Sequence, residues 1–149
     1  VQEAEHDGYR RRGVIPRRRL EQQDDGGVRV IDTLLPPGRP FQFRSARLHW
    51  LLPDWPWSLE EGILILDGPA FSIRLAISSP SPLSFDLIRA GESLIRREPD
   101  APPFLGWYSP TYNLRLPALS FATEIRLEGK SELPLSIQSD FTFIGKPRP

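Results

Sequence analysis

The residues able to do chemistry in this sequence are two histidines, a crowd of arginines near the N-terminus and a scatter of tryptophans. His6 and His49 stand far apart, and no His-Glu-x-x-His word joins them. Zinc normally takes three or four protein ligands. As metal ligands the two would need carboxylates such as Asp7, Asp32 or Asp54, or groups from outside this chain. The plainer reading makes His49 a strand residue beside Trp50 and His6 a turn residue.

Arg10, Arg11, Arg12, Arg17, Arg18 and Arg19 crowd one stretch, against Glu3, Glu5 and Asp7 before them. Over the whole chain 19 basic residues balance 19 acidic ones, which removes any bulk electrostatic case for nucleic acid or an anionic membrane. Arginine suits planar, bidentate recognition of carboxylate and sulfate, so Arg10, Arg12, Arg17 and Arg19 are candidates for binding an acidic polymer. Two competing readings remain open. The arginines could form a solvated strand face, or dock against another domain. Arg17 and Arg19 share a strand face opposite Arg18 and Leu20, so the cluster cannot all point one way.

Trp55, Trp57 and Trp107 could stack on sugar rings, or fill a core together with Trp50, Tyr108 and Tyr112. The absence of cysteine excludes disulfides, thiolate metal sites and cysteine nucleophiles. No Gly-x-Ser-x-Gly elbow, phosphate loop or dinucleotide fingerprint occurs. The acidic pairs Asp24-Asp25 and Glu60-Glu61 fall in expected turns, where solvation explains them.

The elements that must position these residues are strands. With 17 prolines and 11 glycines, long helices are not expected. Phe71, Ile73, Leu75 and Ile77 alternate with Ser72, Arg74, Ala76 and Ser78, the period of a strand with one face in a core and one in water. Leu119, Phe121, Thr123, Ile125 and Leu127 alternate in the same way with Ser120, Ala122, Glu124, Arg126 and Glu128. Arg17–Gln22 and Val28–Leu34, joined through Asp24-Asp25-Gly26-Gly27, read as a hairpin that places Leu20 near Val30. Shorter strand signals lie at Leu83-Phe85-Leu87, Leu133-Leu135-Ile137 and Phe141-Phe143. Ser58-Leu59-Glu60-Glu61 has the spacing of a capping box and predicts at most one helical turn. The expected fold is all-β, an antiparallel β-sandwich of many short strands with little or no helix.

One domain over residues 1–144 is expected, with 145–149 a frayed, proline-rich tail. The chain holds no methionine and begins Val1-Gln2-Glu3, which predicts a piece of a longer protein. Its longest apolar run, Ile63 to Leu66, is too short to span a bilayer, and no membrane partner is expected.

Three N-terminal words, Glu5-His6-Asp7-Gly8-Tyr9-Arg10-Arg11, Val14-Ile15-Pro16-Arg17-Arg18-Arg19 and Val28-Arg29-Val30-Ile31-Asp32-Thr33-Leu34, resemble the C-terminal β-sandwich region of heparinase II/III-like polysaccharide lyases. So do Arg47-Leu48-His49-Trp50-Leu51-Leu52-Pro53 and Trp107-Tyr108-Ser109-Pro110-Thr111-Tyr112. The resemblance runs in order over most of the chain, through short motifs. It implies an α/α toroid ahead of this domain in the same chain, a cleft holding acidic polysaccharide, and a periplasmic or extracellular location. It also implies β-elimination at a uronic acid, with tyrosine and histidine as base and acid. In that family most of this chemistry comes from the toroid. The resemblance therefore offers only His6 and Tyr9 as catalytic candidates here, and implies that this piece is not catalytic alone. No cofactor is expected within the chain. A divalent metal such as zinc in the full-length protein could draw on His6 or His49. Pro16 stands where relatives carry a histidine, which weakens a metal or catalytic role for the stretch. An independent carbohydrate-binding module and a purely structural or docking domain remain the alternatives.

Overall fold

The computed structural model describes residues 1–36, 38, 45–95, 102–126 and 133–146. The first strands are β1 (Gln2–Glu5), β2 (Ile15–Gln22), β3 (Val28–Leu35), β4 (Ser45–Leu52), β5 (Trp57–Glu60) and β6 (Ile63–Asp67). They continue with β7 (Phe71–Ser78), β8 (Ser84–Arg89), β9 (Glu92–Ser93), β10 (Trp107–Thr111), β11 (Leu114–Pro117), β12 (Leu119–Arg126) and β13 (Leu135–Gly145). The only helix among the described residues is a 3₁₀ turn at Arg10–Arg12. The architecture is all-β and antiparallel, of the sandwich class that the sequence predicts. Two compact units divide the chain, 1–45 with 56–82 and 126–149, and 46–55 with 83–125.

The first unit is a seven-stranded sheet in the order β1-β2-β3-β13-β7-β6-β5. The hairpin read from Asp24-Asp25-Gly26-Gly27 is present. β2 pairs with β3, Leu20 faces Val30, and Gly27 N–H donates to Asp25 Oδ1 at 2.9 Å. Registers across the sheet align Leu64, Leu75, Phe141 and Val28 in one row, with Leu66, Ile73 and Phe143 in the next. Leu64, Leu66 and Leu75 are wholly buried, each burial contributing about 1.5–3 kcal/mol of hydrophobic stabilisation. The opposite face carries polar pairs, with Arg29 Nε donating to Asp140 Oδ1 at 2.7 Å and the Thr33 and Ser136 hydroxyls 3.0 Å apart.

Three expectations change here. Ser58-Leu59-Glu60 is not a helical turn but most of β5, hairpinned to β6 through Glu61 (φ 50°) and Gly62 (φ 80°). Two consecutive residues with positive φ make a turn whose twist matches paired strands, and this outweighs a four-residue capping pattern. The separate signals at Leu135-Ile137 and Phe141-Phe143 belong to one strand, β13. That strand runs through Gly145, and Lys146 N–H donates to Ala70 O at 3.1 Å, so these two residues of the expected tail are tied to the sheet. Leu127 and Glu128, the end of the second alternating run, lie outside the described residues, as do 147–149.

The second unit holds the four-stranded sheet β4-β12-β8-β9 and the two-stranded hairpin β10-β11. β12 corrects a further expectation. Leu119, Phe121, Thr123 and Ile125 are buried as predicted, but so are Ser120 and Ala122 on the face expected to meet water. Both faces of β12 are covered from Leu119 to Thr123, so alternation in its sequence does not leave one wet face there. Phe121 stacks on Phe85 with ring centroids 5.5 Å apart and planes 4° from parallel. Gly106 (φ 75°) lies so close to β8 that a Cβ there would fall 2.6 Å from Ala90 N and 2.7 Å from Ile88 O. Only glycine permits this approach.

Candidate functional site

The N-terminal words fold into a tight turn between β1 and β2. Arg10 N–H donates to Asp7 O at 2.8 Å and Arg12 N–H to Tyr9 O at 2.9 Å, closing the 3₁₀ turn, and Gly13 (φ 88°) ends it in the left-handed region. His6 and Tyr9 are brought together by this turn, their rings 5.5 Å apart and tilted by 57°. His6 Nδ1 accepts the Gly8 N–H at 3.3 Å, which fixes one side of the imidazole and directs any proton transfer to Nε2. Tyr9 is 50% exposed.

The structure sorts the arginine cluster into two kinds. Those on β2 are already neutralised. Arg17 hydrogen-bonds Glu5, which holds its pKa above the ordinary arginine value, and reaches Glu3 at 3.6 Å. Arg19 pairs with Glu21 at 2.6 Å, and Arg18 grips Asp32 through bonds of 2.7 and 2.9 Å on the other face of the sheet. Arg10, Arg11 and Arg12 on the turn are exposed and, among the described residues, form no ion pair. Of the nominated anion binders, Arg10 and Arg12 therefore carry uncompensated charge and Arg17 and Arg19 do not. Arg11 joins the first group.

The tryptophans are distributed over both units. Trp57 opens β5 opposite Leu66 and is 36% exposed. Trp55 is half-buried in the β4–β5 link, where its N–H donates to Pro53 O at 2.9 Å. Trp107 starts β10. Its Nε1 donates to Pro103 O at 3.1 Å, and the Arg115 guanidinium covers one ring face 4.0 Å from the centroid. That face cannot also receive a sugar. Arg115 was absent from the sequence-level candidates; its signal was the lone charge in the stretch from Pro102 to Ala118.

His49 lies on β4 in the unit without His6. Its pKa is lowered, first by desolvation of the ring and then by the charge of Arg47. Among the described residues no three histidine, aspartate or glutamate side chains converge to hold a metal. No helix among them is long and apolar enough to cross a membrane.

No family model matches this sequence, and no curated protein matches it. Solved structures do. A heparinase III superposes with a TM-score of 0.71 over 95% of this chain, at 14% identity. The chain shares the fold of a heparinase III segment. A heparan sulfate lyase, HepC from Pedobacter heparinus, superposes at 0.66 over 92% of the chain with 11% identity, and a mutant of it at 0.68 over 97% with 12%. The chain covers 19% of the heparinase III and of HepC, about a fifth of each solved lyase.

Proposed function

We propose that this chain is the C-terminal β-sandwich domain of a heparinase II/III-like polysaccharide lyase that acts on uronate-containing polysaccharide by β-elimination. The observation that carries this reading is the shared fold with a heparinase III over 95% of the chain. The domain serves as scaffold and as one wall of a substrate cleft, the other wall being an α/α toroid of the same protein. In β-elimination the uronate carboxylate is neutralised, a base takes the C5 proton, and an acid protonates the departing glycosidic oxygen. The uncompensated Arg10 and Arg12 suit the first task or the binding of neighbouring acidic sugars. His6 Nε2 and the Tyr9 hydroxyl, exposed on the same turn, suit proton transfer at the cleft edge. Zinc, if the full protein holds it, would rest on ligands from outside this chain.

An independent carbohydrate-binding module is the second reading, favoured by the unpaired arginines on an exposed turn. One experiment separates the two. The isolated chain, incubated with heparin, heparan sulfate, alginate and chondroitin, should give no ultraviolet absorbance of unsaturated product. The protein extended by the residues encoded before Val1 should give it with at least one polymer. Turnover by the isolated chain, or a longer protein inert towards every uronate polymer, overturns the lyase reading.

A further inference from the structure

Arg115 differs from the described arginines that are paired with carboxylates. Arg17, Arg18, Arg19, Arg29, Arg47 and Arg89 are each within ion-pair distance of a carboxylate. Among the described residues Arg115 has no such partner, and no acidic residue occurs between Pro102 and Thr123. It is not loose, however. Its guanidinium lies on the Trp107 ring at 4.0 Å, and Trp107 is itself pinned by the bond from Nε1 to Pro103 O.

A guanidinium held over a ring face by cation–π attraction uses none of its N–H donors in an ion pair and keeps them for a carboxylate or sulfate. The group is thus oriented before any anion arrives, which reduces the entropy lost on binding. The same hairpin exposes an aromatic ring. Tyr112, at the hairpin tip beside Asn113 (φ 62°), is 91% exposed. A tyrosine held almost wholly in water offers a flat apolar face that nothing in its own hairpin uses.

We infer that the β10–β11 hairpin is a recognition site for an acidic sugar, Arg115 binding its carboxylate or sulfate and Trp107 acting as the positioning residue for Arg115. The inference rests on the lyase reading only for the choice of a sugar as the anion's carrier. It adds a site on the unit that does not contain the His6–Arg12 turn.

The test uses the 149-residue chain with two probes, a heparin hexasaccharide and an unsulfated oligouronate, followed by calorimetry and by the Trp107 indole N–H resonance. Binding should shift that resonance. Arg115→Gln should weaken affinity about tenfold, the loss of one charge-assisted bidentate contact. Trp107→Leu should weaken it also, while Trp107→Phe, which keeps an aromatic face, should restore most of the affinity. Arg126→Gln, removing another exposed arginine without a carboxylate partner among the described residues, serves as control. An equal loss in Arg115→Gln and Arg126→Gln, or no loss in either, overturns the site. So does an Arg115 that ignores both sugars and instead binds acidic peptides. Because binding is read on the isolated chain, loss of the site with a longer protein still eliminating leaves the lyase reading intact. Binding with no elimination by the longer protein removes the lyase reading and leaves the site.

Discussion

Arg89 closes on Asp54 through two parallel hydrogen bonds, Nε to Oδ1 at 2.6 Å and Nη2 to Oδ2 at 2.7 Å, tying the β4–β5 link to the end of β8. The hydrogen bond from Arg89 is the main cause that holds the Asp54 carboxyl below its ordinary 3.8, with partial desolvation opposing it and the charge of Arg89 adding to it. A carboxylate whose folded pKa is depressed binds fewer protons folded than unfolded. Its contribution is therefore present above 3.8 and disappears as pH falls through the folded value. Asp54→Asn should lower the urea midpoint at neutral pH, by a small amount because both side chains reach water. The gap between variant and parent should close in acid. An equal gap at both pH values would show that packing, not the ion pair, is what the substitution removes.

Gly106 should tolerate no side chain. Alanine there meets backbone of β8 at 2.6–2.8 Å, and its φ of 75° is strained for any residue with a Cβ. Relief by moving the chain would break the bonds from Ala90 N–H and Ala118 N–H to Gly106 O, both 2.9 Å. Gly106→Ala should cost roughly 2 kcal/mol or more in chemical denaturation. Gly26 also has a positive φ (83°), but nothing lies within 4 Å of an added Cβ, so Gly26→Asn should be close to neutral. Similar losses at both positions would assign the effect to backbone conformation alone.

The local part of this fold was legible in the sequence. Alternation from Phe71 to Ser78 marked β7 with its ends correct, and Asp24-Asp25-Gly26-Gly27 placed Leu20 near Val30, which it faces directly. Both signals are carried by neighbouring residues. What depended on distant strands was not legible. Arg29 and Asp140 are 111 positions apart, and only the register of β3 on β13 makes them partners. The arginine cluster illustrates the limit at a candidate site. Period-two geometry separated Arg18 from Arg17 and Arg19, but which arginines keep free charge depends on β1, whose Glu5 takes Arg17. Burial of Ser120 and Ala122 likewise depends on what covers the second face of β12, which its own sequence does not encode.

Ser120 and Thr123 make a controlled pair on that strand. Both are buried, yet Thr123 Oγ1 donates to Ser84 O at 3.1 Å while Ser120 Oγ has no hydrogen-bond partner among the described residues. Removing a bonded hydroxyl leaves Ser84 O short of one donor and costs about 1 kcal/mol, whereas removing an unpaired one relieves a desolvation penalty. Thr123→Val should thus lower the denaturation midpoint, and Ser120→Ala should leave it unchanged or raise it. A clear loss in Ser120→Ala would mean that its hydroxyl has a partner, such as bound water.

His49 provides a second pH handle with its own sign. The residue is exposed on β4, but desolvation of the ring and, after it, the charge of Arg47 lower its pKa below 6.5. Protonation therefore favours the unfolded chain, which binds the proton at the ordinary value. The cost is absent above 6.5, grows as pH falls below it, and stops growing below the folded pKa. The parent should lose more stability than His49→Gln between neutral pH and pH 5. Arg47→Gln should raise the folded pKa, visible as a shifted imidazole titration by NMR, although it also removes the 3.5 Å contact with Asp86. That second effect makes the titration the sharper readout. Parallel stability curves for the parent and His49→Gln, with an unshifted imidazole in Arg47→Gln, would rule out His49 as a source of acid sensitivity.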